Sequence, residues 1–170
     1  AKAAIDEEKY FSYPPVNGYL DLRQAISEKF EKENGLQYGP DQIVVSNGAK
    51  QSIANIFLSI LNEGDEVVVF SPFWVSYTAL IILAGGKPVF IKGGIENDFK
   101  ATAAQLKEAI SDKTKAVIFS SPCNPTGSVF LKSELEAIAE VLTDHPDIVV
   151  IADEIYEKIN FTGDHVSIGA

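Results

Sequence analysis

The sequence has little of several things, and each shortage excludes something. It holds one cysteine, Cys123, so no disulfide can form within the chain. That fits a reducing, cytoplasmic compartment. Cys123 itself reads as a small buried residue rather than a catalytic thiol. Basic residues are scarce, 14 Lys and Arg against 24 Asp and Glu, for a net charge of −10. Nucleic-acid phosphates call for basic patches, so a nucleic-acid partner is not expected, and nothing in the balance favours a membrane surface. No apolar run approaches the roughly 20 residues of a membrane-spanning helix. Residues 1–8 are mixed and charged, unlike a signal peptide. The two histidines, His145 and His165, lie in polar stretches and read as solvated. No His, Cys and acid cluster shows metal-ligand spacing, so no metal is expected. Methionine is absent and the chain begins without one, as a piece of a longer protein would. No dinucleotide fingerprint, P-loop or G-x-S-x-G elbow appears.

What is present is a core-forming chain. Apolar residues make up 46% of 170 residues, which suits one domain or a large piece of one. After a loop-rich opening over residues 1–18, with Pro14, Pro15 and Gly18, helix and strand patterns alternate from residue 19 to 170. Leu22, Ile26 and Phe30 recur at four-residue spacing, which predicts an amphipathic helix over residues 21–34 with Gly35 as its stop. Further helices are predicted over 49–61, 74–83, 102–110 and 132–142. Thr102 is the candidate N-cap of the fourth, and Ser133 with Glu136 a candidate capping box of the fifth. Strands are predicted over 42–45, 66–70, 88–91, 115–119 and 148–152. Such alternation implies an α/β fold, three layers α/β/α around a mostly parallel sheet. No repeat or linker marks an internal boundary, so residues 1–170 are expected to be one domain.

Four segments just after predicted strands could carry chemistry. Ser46-Asn47-Gly48-Ala49-Lys50 joins a strand to a helix, and glycine there lets an anion approach the free N–H groups of the helix start. Ser71-Pro72-Phe73-Trp74-Val75-Ser76-Tyr77 brings three aromatics to a strand end, where they could stack on a flat ligand. Ser121-Pro122-Cys123-Asn124-Pro125-Thr126-Gly127 is a stiff loop that would hold the Asn124 amide in one orientation. Ile151-Ala152-Asp153-Glu154-Ile155-Tyr156 ends an apolar run in an acid, with a phenol three residues on. Each, alone, is as well explained by a turn, a cap or core packing. Together they fall where a parallel sheet presents its ligand edge.

At this point the residues resemble a family. Tyr13-Pro14-Pro15, Gly18 and Leu22-Arg23, the loop Ser121 to Gly127, and Asp153-Glu154-Ile155-Tyr156 occur in the order found in fold-type I pyridoxal-phosphate-dependent aminotransferases of class I/II, in the aspartate aminotransferase branch. The resemblance implies a PLP-transferase large domain, here incomplete at its C-terminal side. It implies that Gly48, Ala49 and Lys50 bind the cofactor phosphate, that Trp74 stacks on the pyridine ring, and that Asn124 and Tyr156 bind the ring's phenolic oxygen. Asp153 would pair with the pyridine nitrogen. Tyr13 would reach the phosphate in the neighbouring subunit of a homodimer. Lys50, Trp74 and Asn124 would also touch substrate, with Lys50 on the distal carboxylate of an acidic amino acid. The partners implied are an amino acid and a 2-oxo acid.

The resemblance also implies what to look for elsewhere. The family's Schiff-base lysine lies beyond the segment matching Asp153-Glu154-Ile155-Tyr156, past Ala170, and Lys158 matches no such motif; no catalytic residue is therefore assigned. Two alternatives stay open: another fold-type I enzyme, a lyase or synthase, or an aminotransferase-like ligand-sensing domain of a regulator. The 170-residue chain mixed with pyridoxal phosphate is expected to show no amino-acid turnover. A borohydride-stable adduct on one lysine, together with turnover, would overturn that expectation.

Overall fold

The computed structural model describes residues 1–8, 10–161 and 163–170. They form two compact units, residues 1–47 and 48–170. The first unit holds two helices, α1 (Lys2–Asp6) and α2 (Leu20–Lys29). A π-helical turn, Phe30–Asn34, extends α2 to Gly35, whose φ of 69° ends it in the left-handed conformation that glycine tolerates. Arg23 ties this unit together: its Nε donates to Gly18 O at 3.2 Å and its guanidinium to Pro40 O at 2.5 Å. Gly18 must be glycine, because φ is +92° and a Cβ there would lie 2.7 Å from Val45 Cβ.

The strand expected over residues 42–45 does not form. A 3-10 turn, Pro40–Gln42, precedes an extended segment, and Val45 N bonds Asn17 O at 3.1 Å instead of a neighbouring strand. Valine-rich sequence favours extension, but a strand also needs a ladder partner.

The second unit begins with α3 (Ala49–Ile60) and continues β1 (Glu66–Ser71), α4 (Ser76–Leu83), β2 (Lys87–Lys92), α5 (Ala103–Ala109), β3 (Thr114–Ser120), α6 (Lys132–Thr143) and β4 (Val149–Asp153). The four strands pair in the order β2-β1-β3-β4, all parallel. The expected α/β/α layering is present. Side chains alternate across the sheet with period two. Val67, Val69, Ala116, Ile118 and Ile151 face a cluster with Ile53 and Phe57 of α3 and Tyr77 and Ile81 of α4. Val68, Phe70, Val117 and Phe119 face Leu106 of α5 and Leu135, Ile138 and Leu142 of α6. Both faces being covered explains why the middle strands read as unbroken apolar runs. Pro88 sits in β2, at one edge of the described sheet, where a missing N–H costs least.

Local signals set most boundaries. Thr102 caps α5, accepting from Gln105 N at 3.3 Å. The cap of α6 differs from expectation: Glu134, not Glu136, reaches back and accepts from Leu131 N at 2.7 Å. Glu134 also meets Lys100, whose Nζ is 2.8 Å away and whose side chain is buried, so the pairing of this acid is decided by a distant lysine. Among the described residues no helix is long and apolar enough to cross a membrane.

Phe57 is fully buried, whereas its neighbour Leu58 is 58% exposed. Phe57→Ala should cost about 3–5 kcal/mol of unfolding free energy, and Leu58→Ala less than about 1 kcal/mol, as read by chemical denaturation.

Candidate functional site

The strand order itself makes a crevice. After β1 the chain leaves through α4 on one face toward β2; after β3 it leaves through α6 on the other face toward β4. The carboxyl ends of β1 and β3 are therefore the point where connections diverge, and ligands bind parallel sheets at such a point. A cleft of about 270 Å³ opens there. Gly48, Ala49, Lys50, Trp74, Tyr77, Ser120, Asn124, Asp153, Ile155 and Tyr156 line it. The structure thus brings together Gly48, Ala49, Lys50, Trp74, Asn124, Asp153 and Tyr156, all singled out from sequence. Tyr13 belongs to the unit of residues 1–47, where its side chain is fully exposed.

One wall is the start of α3. Gly48 has φ 86°, and no atom lies within 4 Å of where a Cβ would stand. No side chain caps this helix. Gly48, Ala49 and Lys50 border the cleft, and the earliest N–H groups of an α-helix lack a partner within it.

The opposite wall is a self-bonded loop after β3. Cys123 N donates to Ser128 O at 2.9 Å, Gly127 N to Cys123 O at 2.7 Å, and Phe130 N to the Ser121 hydroxyl at 3.1 Å. Gly127 takes φ 75° to close the turn. Cys123 is half-buried, and its thiol donates to Pro72 O at 3.4 Å, linking this loop to the one after β1. So held, Asn124 Nδ2 donates to Tyr156 Oη at 3.4 Å.

The floor is Asp153, the last residue of β4, in register with Ser120 of β3. Both of its oxygens are held. Ile155 N donates to Oδ1 at 3.3 Å, and the Tyr77 phenol donates to Oδ2 at 2.5 Å. Tyr77 has no exposed surface. Its ring lies edge-on to Trp74, centroids 5.8 Å apart. Burial, and then the bond to Asp153, push the phenol's pKa far above its ordinary value. Trp74 lies in the turn before α4 rather than inside the helix. Lys50 Nζ sits 4.9 Å from the centre of its ring, a cation–π contact.

Sequence reasoning missed Tyr77 as a polar member of the site. The signal was its spacing: Trp74 and Tyr77 are three residues apart at a helix start, so both turn to one side. It also misjudged His165. That side chain is only 9% exposed, with Nε2 3.1 Å from Glu154 Oε2. Among the described residues no group of three or more His, Cys, Asp or Glu could hold a metal ion.

The pattern of the family "Aminotransferase class I and II" matches residues 1–168. The chain belongs to that family. It is 50% identical, over 98% of its length, to an aspartate aminotransferase of Bacillus sp. (strain YM-2), of which it covers 43%. Its fold matches 44% of the aspartate aminotransferase of Thermus thermophilus, at TM-score 0.95 and 41% identity over 99% of this chain. It matches 45% of an aromatic aminotransferase of Pyrococcus horikoshii, at TM-score 0.94 and 42% identity over 99% of this chain. The chain therefore spans less than half the length of these relatives. The two structures named for different substrates are equally similar to it, so overall likeness does not select a substrate.

The raised pKa of Tyr77 has a definite alkaline consequence. Its folded pKa lies above its unfolded value of about 10, so its contribution to stability is complete below about pH 10 and is lost as pH rises toward the folded value. Near-ultraviolet absorbance titrations of the wild type and Tyr77→Phe should coincide up to about pH 11. The denaturation midpoint of the wild type should fall more steeply than that of Y77F above about pH 10.

Proposed function

We propose that the whole protein is a pyridoxal-phosphate-dependent amino-acid aminotransferase. It moves an amino group between an amino acid, an acidic one such as aspartate, and a 2-oxo acid. Residues 1–170 form part of one cofactor-binding large domain of a cytoplasmic homodimer, in which Tyr13 reaches the neighbouring site. One observation carries this reading: a carboxylate, an amide–phenol pair and an open helix start converge on one cleft at the carboxyl edge of the sheet.

The residues fit the cofactor. The space over Gly48, open where a Cβ would stand, lies at the start of a helix of 12 residues and suits a phosphate. Trp74 offers a flat face for a ring. Among the described residues Asp153 is the one acid that lines the cleft. When bound, pyridoxal phosphate supplies an electron sink that stabilises negative charge at the substrate's α-carbon.

Each role follows from the side chain's chemistry. Asp153 holds a proton on the ring nitrogen, because a carboxylate within hydrogen-bond reach favours the charged form of its partner. Asn124 and Tyr156, already within 3.4 Å of one another, both donate to the phenolic oxygen. Trp74 fixes the ring plane. Gly48, Ala49 and Lys50 present backbone N–H groups to the phosphate. The Lys50 ammonium, parked on the Trp74 ring, is an exposed cation free to turn to the distal carboxylate of an acidic substrate.

The test is the full-length protein with pyridoxal phosphate, aspartate and 2-oxoglutarate. Bound-cofactor absorbance and oxaloacetate formation are expected; a protein that binds no cofactor would remove the reading. Lys50→Ser should lower kcat/KM for dicarboxylic substrates by roughly tenfold or more, and for aromatic ones much less. Equal losses would take Lys50 out of substrate choice.

A further inference from the structure

We propose that Tyr77 is a positioning residue for Asp153, fixing the carboxylate so that its unused lone pairs are presented to the cationic ring nitrogen of pyridoxal phosphate. The inference rests on the cofactor reading above and extends it to a residue outside the motifs that led there.

Three observations support it. The first is the bond itself: Tyr77 donates to Asp153 Oδ2 at 2.5 Å, across 76 residues of sequence. The second is the pairing of both oxygens. With Oδ1 taken by Ile155 N and Oδ2 by the phenol, rotation about the carboxylate's last bond is blocked. A carboxylate has about four acceptor positions, so two remain for a ligand. The third is the rigidity of the donor. The Tyr77 ring has no exposed surface, stacks with Phe73 at 6.3 Å and lies edge-on to Trp74 at 5.8 Å. It packs in the same cluster as Phe57, Val69, Ile118 and Ile151. A hydroxyl carried on such a frame has one reachable position, and Asp153 is pinned to it.

The phenol keeps its polarity as well. Burial and the neighbouring carboxylate oppose its ionisation, so across working pH it donates and Asp153 accepts. Without this bond one oxygen would be free to rotate, and ordering it would be charged against cofactor binding.

A purely structural alternative is that Asp153 merely satisfies a buried hydroxyl. The two roles differ in what they do to the ring nitrogen. The experiment measures binding to full-length apoprotein of pyridoxal phosphate and of its analogue with carbon in place of the ring nitrogen. Wild type, Y77F, Asp153→Asn and the double variant are compared. Positioning predicts that Y77F weakens pyridoxal phosphate about tenfold, leaves the analogue unchanged, and adds nothing in the D153N background. The pH dependence of the bound cofactor's visible absorbance should shift in Y77F as well. Equal weakening of both ligands, or no weakening of either, overturns the positioning role while leaving the cofactor reading intact. Failure of the wild type to bind pyridoxal phosphate overturns the cofactor reading itself. Should Y77F fail to fold, Tyr77→Met fills the space without a donor and takes its place in the cycle.

Discussion

The structure depends on burying β1 and β3 on both faces. Val67, Val68, Val69, Val117 and Ile118 have no exposed surface, and apolar area buried to that degree is the main favourable term in folding. A strand apolar on both sides demands a helix layer on each side. With parallel strands, every connection must cross over a face. Once the chain after β1 and the chain after β3 take opposite faces, their ends part, and a crevice is left that no core residue fills. The cleft is thus a by-product of covering the sheet, and its lining comes from whatever follows each strand.

Into that apolar frame the sequence sets a few polar groups, and each is anchored by something rigid. Asp153 is the last residue of a strand, in register with Ser120. Asn124 sits in a loop closed by its own backbone bonds. Tyr77 belongs to both environments: its ring is part of the hydrophobic cluster behind the sheet, and its hydroxyl meets Asp153 at the cleft. A buried polar group without a partner is costly, so phenol and carboxylate are each held where the other needs it. Lys50 is the contrast. It is exposed and rests on an aromatic face, a contact weak enough for a carboxylate to displace.

Much of this was legible in the amino-acid order. Short apolar runs in residues 66–70 and 115–119 and four-residue spacing in α2 gave element type, because a strand buried on both faces is apolar throughout and a helix period follows from backbone geometry. Thr102 and Gly35 marked a start and a stop through local bonds and φ. Three of the four candidate segments follow β1, β3 and β4, where a parallel sheet gathers its ligand groups, and the fourth opens α3. What failed did so for reasons of distance. Residues 42–45 look like a strand but have no ladder among the described residues. Ser133 and Glu136 look like a cap, yet Glu134 takes that role while paired with Lys100. His165 looks solvated in its polar stretch, yet folds against Glu154.

The sequence by itself determined the element types from residue 49 onward, the family and seven of the residues that line the cleft, since all of these depend on spacing along the chain. Only the tertiary structure decided that Tyr77 holds Asp153, that Lys50 rests on Trp74, and that Lys100 and His165 are buried beside acids. These pairs join residues separated by 11 to 76 positions. Their meeting depends on strand order and register, which no local period encodes.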